Sequence, residues 1–261
     1  MKDRFEVIRE WSPPLLRKED TDYKFKEAED ATHYCFIRLY QTEYKSVFSI
    51  GGLTKEVNSA VTRAAQNGLR YTHAAMNYQL NDNFIGMNFS ENKNNDIVIE
   101  HLRTMDKGKP YQDKSISRFD VFYIKLTKEE YIALKKKLIS VKTDSKFKYD
   151  YLRLLMLVGD QLYNRIKRFL FSAESEEVTE HVDIKDIMLV CSTFVSYILS
   201  NVSKRFDDFF KKSKYSLHSY TPNELTYLPG ITHMYGGYWK EYASKTREYL
   251  RDHPEFEEYM K

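Results

Sequence analysis

The chain has 261 residues, 42% hydrophobic and 30% charged, which suits one domain with decorations or at most two, with apolar material enough for a packed core. Its 41 basic and 38 acidic residues leave a net charge of +3, so no broad basic face for nucleic acid is expected. The two cysteines, Cys35 and Cys191, make neither a disulfide framework nor a zinc cluster, and with no Cys-x-x-Cys or His-Glu-x-x-His motif neither a metal nor a cofactor is expected.

The opening residues, Met1-Lys2-Asp3-Arg4-Phe5-Glu6, contain no apolar core of a secretory signal. No window approaches the 18 apolar residues of a membrane span, so the expectation is a cytoplasmic protein without a transmembrane segment. Residues 1–32 read as a polar N-terminal extension, with ordered structure beginning near His33. Tyr34 to Tyr40 reads as a strand with Cys35 as a small buried hydrophobe inside it, and Ser46 to Ile50 leads toward a turn at Gly51-Gly52. Residues 53–66 read as a helix, because Leu53, Val57, Ala60, Val61 and Ala64 fall on one face, and Asn67-Gly68 ends it. Two strands follow, Tyr71 to Tyr78 and Phe84 to Phe89. The polar turn Leu80-Asn81-Asp82-Asn83 between them suggests an antiparallel hairpin.

Ile97-Val98-Ile99 is a short apolar run. Phe119 to Leu126 is the clearest strand, with Phe119, Val121 and Tyr123 alternating with Asp120, Phe122 and Ile124. Thr127 and Glu130 then form a capping box for a helix to about Ser140. Residues 149–171 look helical, and residues 172–183 read as an acidic surface insertion. A further helix begins at Cys191 and runs to about Ser200. The tail, residues 233–261, reads as a helical extension packed on the outside. Lys135-Lys136-Lys137 and Lys211-Lys212 read as solvated helix faces.

One place carries chemistry. Met188-Leu189-Val190 reads as extended, and Cys191 then opens a run with Phe194, Val195, Ile198 and Leu199 at helical spacing. Cys191 therefore stands on the first turn, with Ser192 and Thr193 on the polar side of that turn. A thiol enzyme needs its cysteine as thiolate, and the unpaired N–H groups of a helix start favour negative charge. The backbone N–H of Cys191 could also help bind an oxyanion. The competing reading is a buried structural cysteine. A thiol nucleophile needs a histidine. Of the seven, His73 sits on a strand among small residues, Thr72, Ala74 and Ala75, which leave room for another element. His33, His101, His181, His218, His233 and His253 fall in loops or charged contexts, where a solvated imidazole is expected.

Thr72-His73-Ala74-Ala75, a second strand, the Lys125-Leu126-Thr127-Lys128-Glu129-Glu130-Tyr131 junction, Tyr149-Asp150-Tyr151-Leu152, the start Cys191-Ser192-Thr193-Phe194-Val195, and Thr221-Pro222-Asn223-Glu224-Leu225 together resemble one family. It is the circularly permuted papain-like group of the NlpC-type peptidase superfamily, which includes YiiX-like proteins and, distantly, lecithin:retinol acyltransferase relatives. The resemblance spans about residues 33–231. It implies an α+β, permuted papain-like fold: an antiparallel sheet packed against helices, with the catalytic cysteine at a helix N-terminus. The permuted order places His73 before Cys191, and the domain is expected to run from 33 to 232 between the two extensions. The family usually orients its imidazole by a polar residue on the next strand. Asn88 is the choice here, with Ser90 and Glu91 in reserve.

The expected activity is hydrolysis of a peptide, other amide or thioester bond through a covalent acyl-enzyme, with cell-wall peptide as the substrate most common in the superfamily. The alternatives are acyl transfer to or from a lipid, and a non-catalytic module that binds peptide or lipid on the same fold.

Overall fold

The computed structural model describes residues 25–26, 28–42, 71–81, 83–87, 97–100, 116–142, 147–149, 187–189, 191–212 and 220–261. The helices expected over 53–66 and 149–171, the strand lead at 46–50, the insertion at 172–183 and most of the N-terminal extension lie outside these residues.

The centre is an antiparallel sheet of six strands in the order β4-β3-β2-β1-β5-β8. They are β1 (His33–Thr42), β2 (His73–Asn77), β3 (Phe84–Met87), β4 (Ile97–Glu100), β5 (Ile116–Leu126) and β8 (Thr232–Tyr238). Two short strands, β6 (Phe147–Tyr149) and β7 (Ile187–Leu189), pair in parallel apart from it. The helices are α1 (Lys128–Val141), α2 (Cys191–Val202), α3 (Lys204–Lys212) and α4 (Tyr242–Asp252). The α+β class with an antiparallel sheet against helices is thus the architecture of the described residues.

Strand alternation divides the core into two layers. Cys35, Ile37 and Leu39 of β1, Ala74 and Met76 of β2, and Phe122 and Ile124 of β5 point to one face. They pack there against Leu134 and Leu138 of α1 and Phe194, Val195 and Ile198 of α2. Phe36 and Tyr40, Ala75, Phe84, Phe119 and Val121 point to the other face. Tyr242 and Leu250 of α4 cover them, together with Phe256 and Tyr259 of the 3-10 turn Pro254–Met260.

The hairpin between β2 and β3 forms as its polar turn suggests, with Asn77 Nδ2 donating to Asn83 O at 2.7 Å. Leu80, read as part of the polar turn, is instead buried, and its N–H donates to Tyr259 O. The α1 capping box is present: Glu130 N–H donates to Thr127 Oγ1, and Thr127 N–H to Glu130 Oε2.

Two boundaries differ from expectation. Phe25 already belongs to the fold, its ring 5.0 Å from that of Phe206 in α3. The boundary at 232/233 falls inside β8, which pairs along β5. The tail is therefore a sheet strand followed by a helix, and not a helical arm laid on the outside. His-Met-Tyr-Gly-Gly-Tyr conceals the strand because a bulge breaks its alternation: Val121 faces Tyr235 but Phe122 faces His233, which leaves Met234 extra.

Candidate active site

Cys191 is the first residue of α2. The apolar spacing that predicts the helix also buries it: Phe194, Val195, Ile198 and Leu199 are fully enclosed. Ser192 and Thr193 are enclosed as well, at 1% and 0% exposure, so the first turn is not the half-solvated edge its polar residues suggest. Cys191 itself keeps 5% of its surface, a thiol at the rim of the core.

The direction of α2 follows from its far end. Ser203, just beyond it, donates to Glu130 in the first turn of α1. Arg205 Nη2 donates to Lys125 O near the end of β5. α2 packs over β2 and β3. Its twelve residues, about 1.5 Å of rise each, carry Cys191 away from that end. β1 and β5 match His33 with Leu126 at that end, and β1 and β2 match Tyr40 with His73 toward the other. Cys191 and His73 thus stand toward the same end of the sheet.

They approach it from different faces. His73 lies directly opposite Tyr40, so the two side chains share a face. The rings stack, with centroids 5.5 Å apart and planes 24° from parallel. Tyr40 belongs to the layer under α4, whereas α2 covers the other layer. Tyr40 is itself held: Arg38 Nε donates to its hydroxyl, and the Arg38 guanidinium lies 4.1 Å from the Phe84 ring centroid. The imidazole therefore rests on a braced aromatic platform, 7% exposed. Asn88, Ser90 and Glu91 lie outside the described residues.

A second group of polar side chains occupies the α2 face. Asp120, 1% exposed, receives the Tyr71 hydroxyl on Oδ2 at 2.8 Å, and its Oδ1 lies 3.1 Å from His233 Nε2. His233 is half-buried and meets the Phe122 ring edge-on at 5.1 Å. This corrects the expectation of a solvated imidazole. The β8 bulge sets His233 opposite Phe122, within reach of the acid. Gly236 faces Asp120 across the ladder, and a Cβ there would collide with Asp120 Oδ1. The signal for this group lies in the β5 alternation. Asp120 is in phase with Phe122 and Ile124 on a buried face, and a buried acid requires partners.

The remaining sequence candidates have structural roles. Burial pushes the Cys35 thiol up to about 12, the property of an inert core cysteine. Thr221 and Glu224 cap their own 3-10 turn, the Thr221 hydroxyl donating to Glu224 Oε2 at 2.8 Å. Among the described residues no helix is long and apolar enough to cross a membrane. None of the His, Cys, Asp and Glu residues among them are grouped as metal ligands would be.

No family model matches the chain, and no curated protein or solved structure matches it significantly.

Proposed function

We propose that the chain is a thiol hydrolase or acyl-transfer enzyme of the permuted papain-like type, with Cys191 as nucleophile and His73 as its base. The observation that carries the reading is the meeting of two element starts. Cys191 opens α2 and His73 opens β2, toward the same end of the sheet. The unpaired N–H groups of the α2 start are there to receive developing negative charge.

In the proposed reaction, Cys191 Sγ attacks a carbonyl carbon while the thiol proton passes to the imidazole. The tetrahedral oxyanion forms beside the first N–H groups of α2. It collapses to an acyl–sulfur bond as the leaving amine or thiol takes the proton back from the imidazolium. Water, or an acceptor hydroxyl or amine, then attacks the acyl-enzyme and frees Cys191. Because α2 and the His73 ring lie on different faces, the productive arrangement requires the imidazole to swing across the end of the sheet. Catalytic hydrogen bonds are often formed only in the substrate complex. Ala74 and Ala75 leave space beside that path. The part of Asn88, holding the imidazole tautomer, rests on the resemblance alone.

The test is alkylation with iodoacetamide at neutral pH. Cys35 is fully buried and raised to about 12, so the folded protein reports on Cys191 alone. The expected result is Cys191 modified at least about tenfold faster than a free thiol of ordinary pKa, with the advantage lost in His73→Ala. A rate no faster than that of a free thiol removes the enzyme reading and leaves a non-catalytic binding module.

A further inference from the structure

Resting on that reading, we infer that Asp120 is a positioning residue for His73, acting through Tyr71. The backbone that enters β2 is fixed at three successive residues. The Tyr71 side chain, fully buried, is tied by its hydroxyl to Asp120 Oδ2 at 2.8 Å. Thr72 N–H donates to Tyr40 O at 2.7 Å. His73 then stacks on the Tyr40 ring. Tyr71 reaches into the layer under α2, and His73 points into the layer under α4. The segment is thus pinned on both faces of the sheet, with His73 at the pivot.

Asp120 can serve as this anchor because it is itself over-determined. Its second oxygen is taken by His233 Nε2, and Gly236 opposite it supplies the space that any larger residue would fill. A buried carboxylate with two directed partners is a stiff reference point, and removing one partner leaves the others strained or unsatisfied. Tyr71 carries that stiffness from β5 past β1 to the start of β2. A swing of the imidazole toward Cys191 then turns about a fixed backbone and does not drag the strand with it. This is the condition for an aligned proton transfer.

The experiment measures the alkylation rate of Cys191 against pH, with thermal melting recorded in parallel. The variants are Tyr71→Phe, Asp120→Asn, His233→Gln, His73→Ala and the distant control Tyr235→Phe. Tyr71→Phe removes only the tether and keeps the ring. It is expected to slow neutral-pH alkylation about threefold to tenfold, the effect of one directed hydrogen bond, and to move the pH midpoint of the rate upward, toward the His73→Ala profile. Asp120→Asn is expected to act in the same direction. Tyr235→Phe, which loses a hydroxyl bond to Thr246 on the other face, keeps the parent profile. His233→Gln retains a donor for Asp120 and is expected to stay close to the parent. If Tyr71→Phe and Asp120→Asn melt lower but keep the parent pH midpoint while His73→Ala shifts it, their role is structural and the inference falls. If His233→Gln abolishes the fast alkylation and His73→Ala does not, the base is His233, and both the inference and the His73 assignment fall. If no variant, His73→Ala included, alters the profile, the proposed function itself has failed, a result distinct from the first.

Discussion

At the scale of single residues, what distinguishes this sheet is polar chemistry inside its two layers. Asp120 is a carboxylate in an apolar stripe, and it persists there because Tyr71 and His233 satisfy it. Gly236 is the least replaceable neighbour. A methyl group there would meet the Asp120 carboxylate and stand 2.7 Å from Phe119 O, a backbone atom that cannot step aside. Gly236→Ala is therefore expected to lower stability by about 1–3 kcal/mol, the usual cost of overpacking. Gly237→Ala meets only Glu241 Oε2, at 3.3 Å and the end of a flexible side chain, and is expected to cost less than about 0.5 kcal/mol. Urea titrations of the two variants compare them directly. Equal midpoints would show that Gly236 makes no special room. The candidate site was legible only in part for a related reason. The Cys191 helix is a local pattern, and sequence carries it. The links from Asp120 span 49 residues to Tyr71 and 113 to His233, and no local pattern carries those. The face of His73 is equally non-local. Thr72-His73-Ala74-Ala75 has no hydrophobic phase of its own, and only pairing with β1 turns the imidazole toward Tyr40.

At the scale of elements, the joint between β5, α1 and the end of α2 is the most densely bonded feature of the described chain. Glu130 accepts from Thr127 N–H, Ser203 Oγ, and Nε and Nη2 of Arg205. Partial burial alone would raise its carboxyl. The hydrogen bonds from Arg205, Ser203 and Thr127 outweigh that and hold it below the ordinary value. The folded value is depressed, so the stabilisation is complete above the unfolded carboxyl range, near about 4.3, and is lost as pH falls through the folded value. Glu130→Gln is expected to melt lower at neutral pH by the equivalent of about 1–2 kcal/mol, with the gap closing progressively below about pH 4. Melting curves across pH 3 to 7 provide the check. A gap that stays constant to acid would mean that the carboxylate charge contributes nothing. This joint was the most legible part of the sequence. The capping box lies within four residues, and the strand before it alternates cleanly. β8 was illegible because its bulge and two glycines erase the period that identifies a strand.

At the scale of the molecule, both faces of the sheet need a cover, and the chain supplies the second one from its last residues. Tyr242, Leu250, Phe256 and Tyr259 close the layer over Phe36, Tyr40 and Phe119. Phe256 is the centre of that closure, 3% exposed, with ring centroids 4.8 Å from Tyr34, 5.5 Å from Tyr123 and 6.1 Å from Phe36. An arm packed on the outside of a finished domain would tolerate truncation there. A sheet whose second layer depends on it would not, because two strands of apolar side chains would face a cavity. Phe256→Ala is therefore expected to cost about 3–5 kcal/mol, the range for removing a buried aromatic, and to lower the melting of the whole sheet in one transition. Met260→Ala, at a position 36% exposed, is expected to melt within about 0.5 kcal/mol of the parent. The same layer holds the Tyr40 ring on which His73 stacks, so the two effects are coupled. A Phe256→Ala protein still folded at low temperature should lose fast alkylation of Cys191 at temperatures below its melting point, as the platform loosens before the sheet does. Circular dichroism and labelling along one temperature ramp would show the order. Loss of sheet signal at the parent temperature, with labelling unchanged, would return the last residues to the status of an appendage.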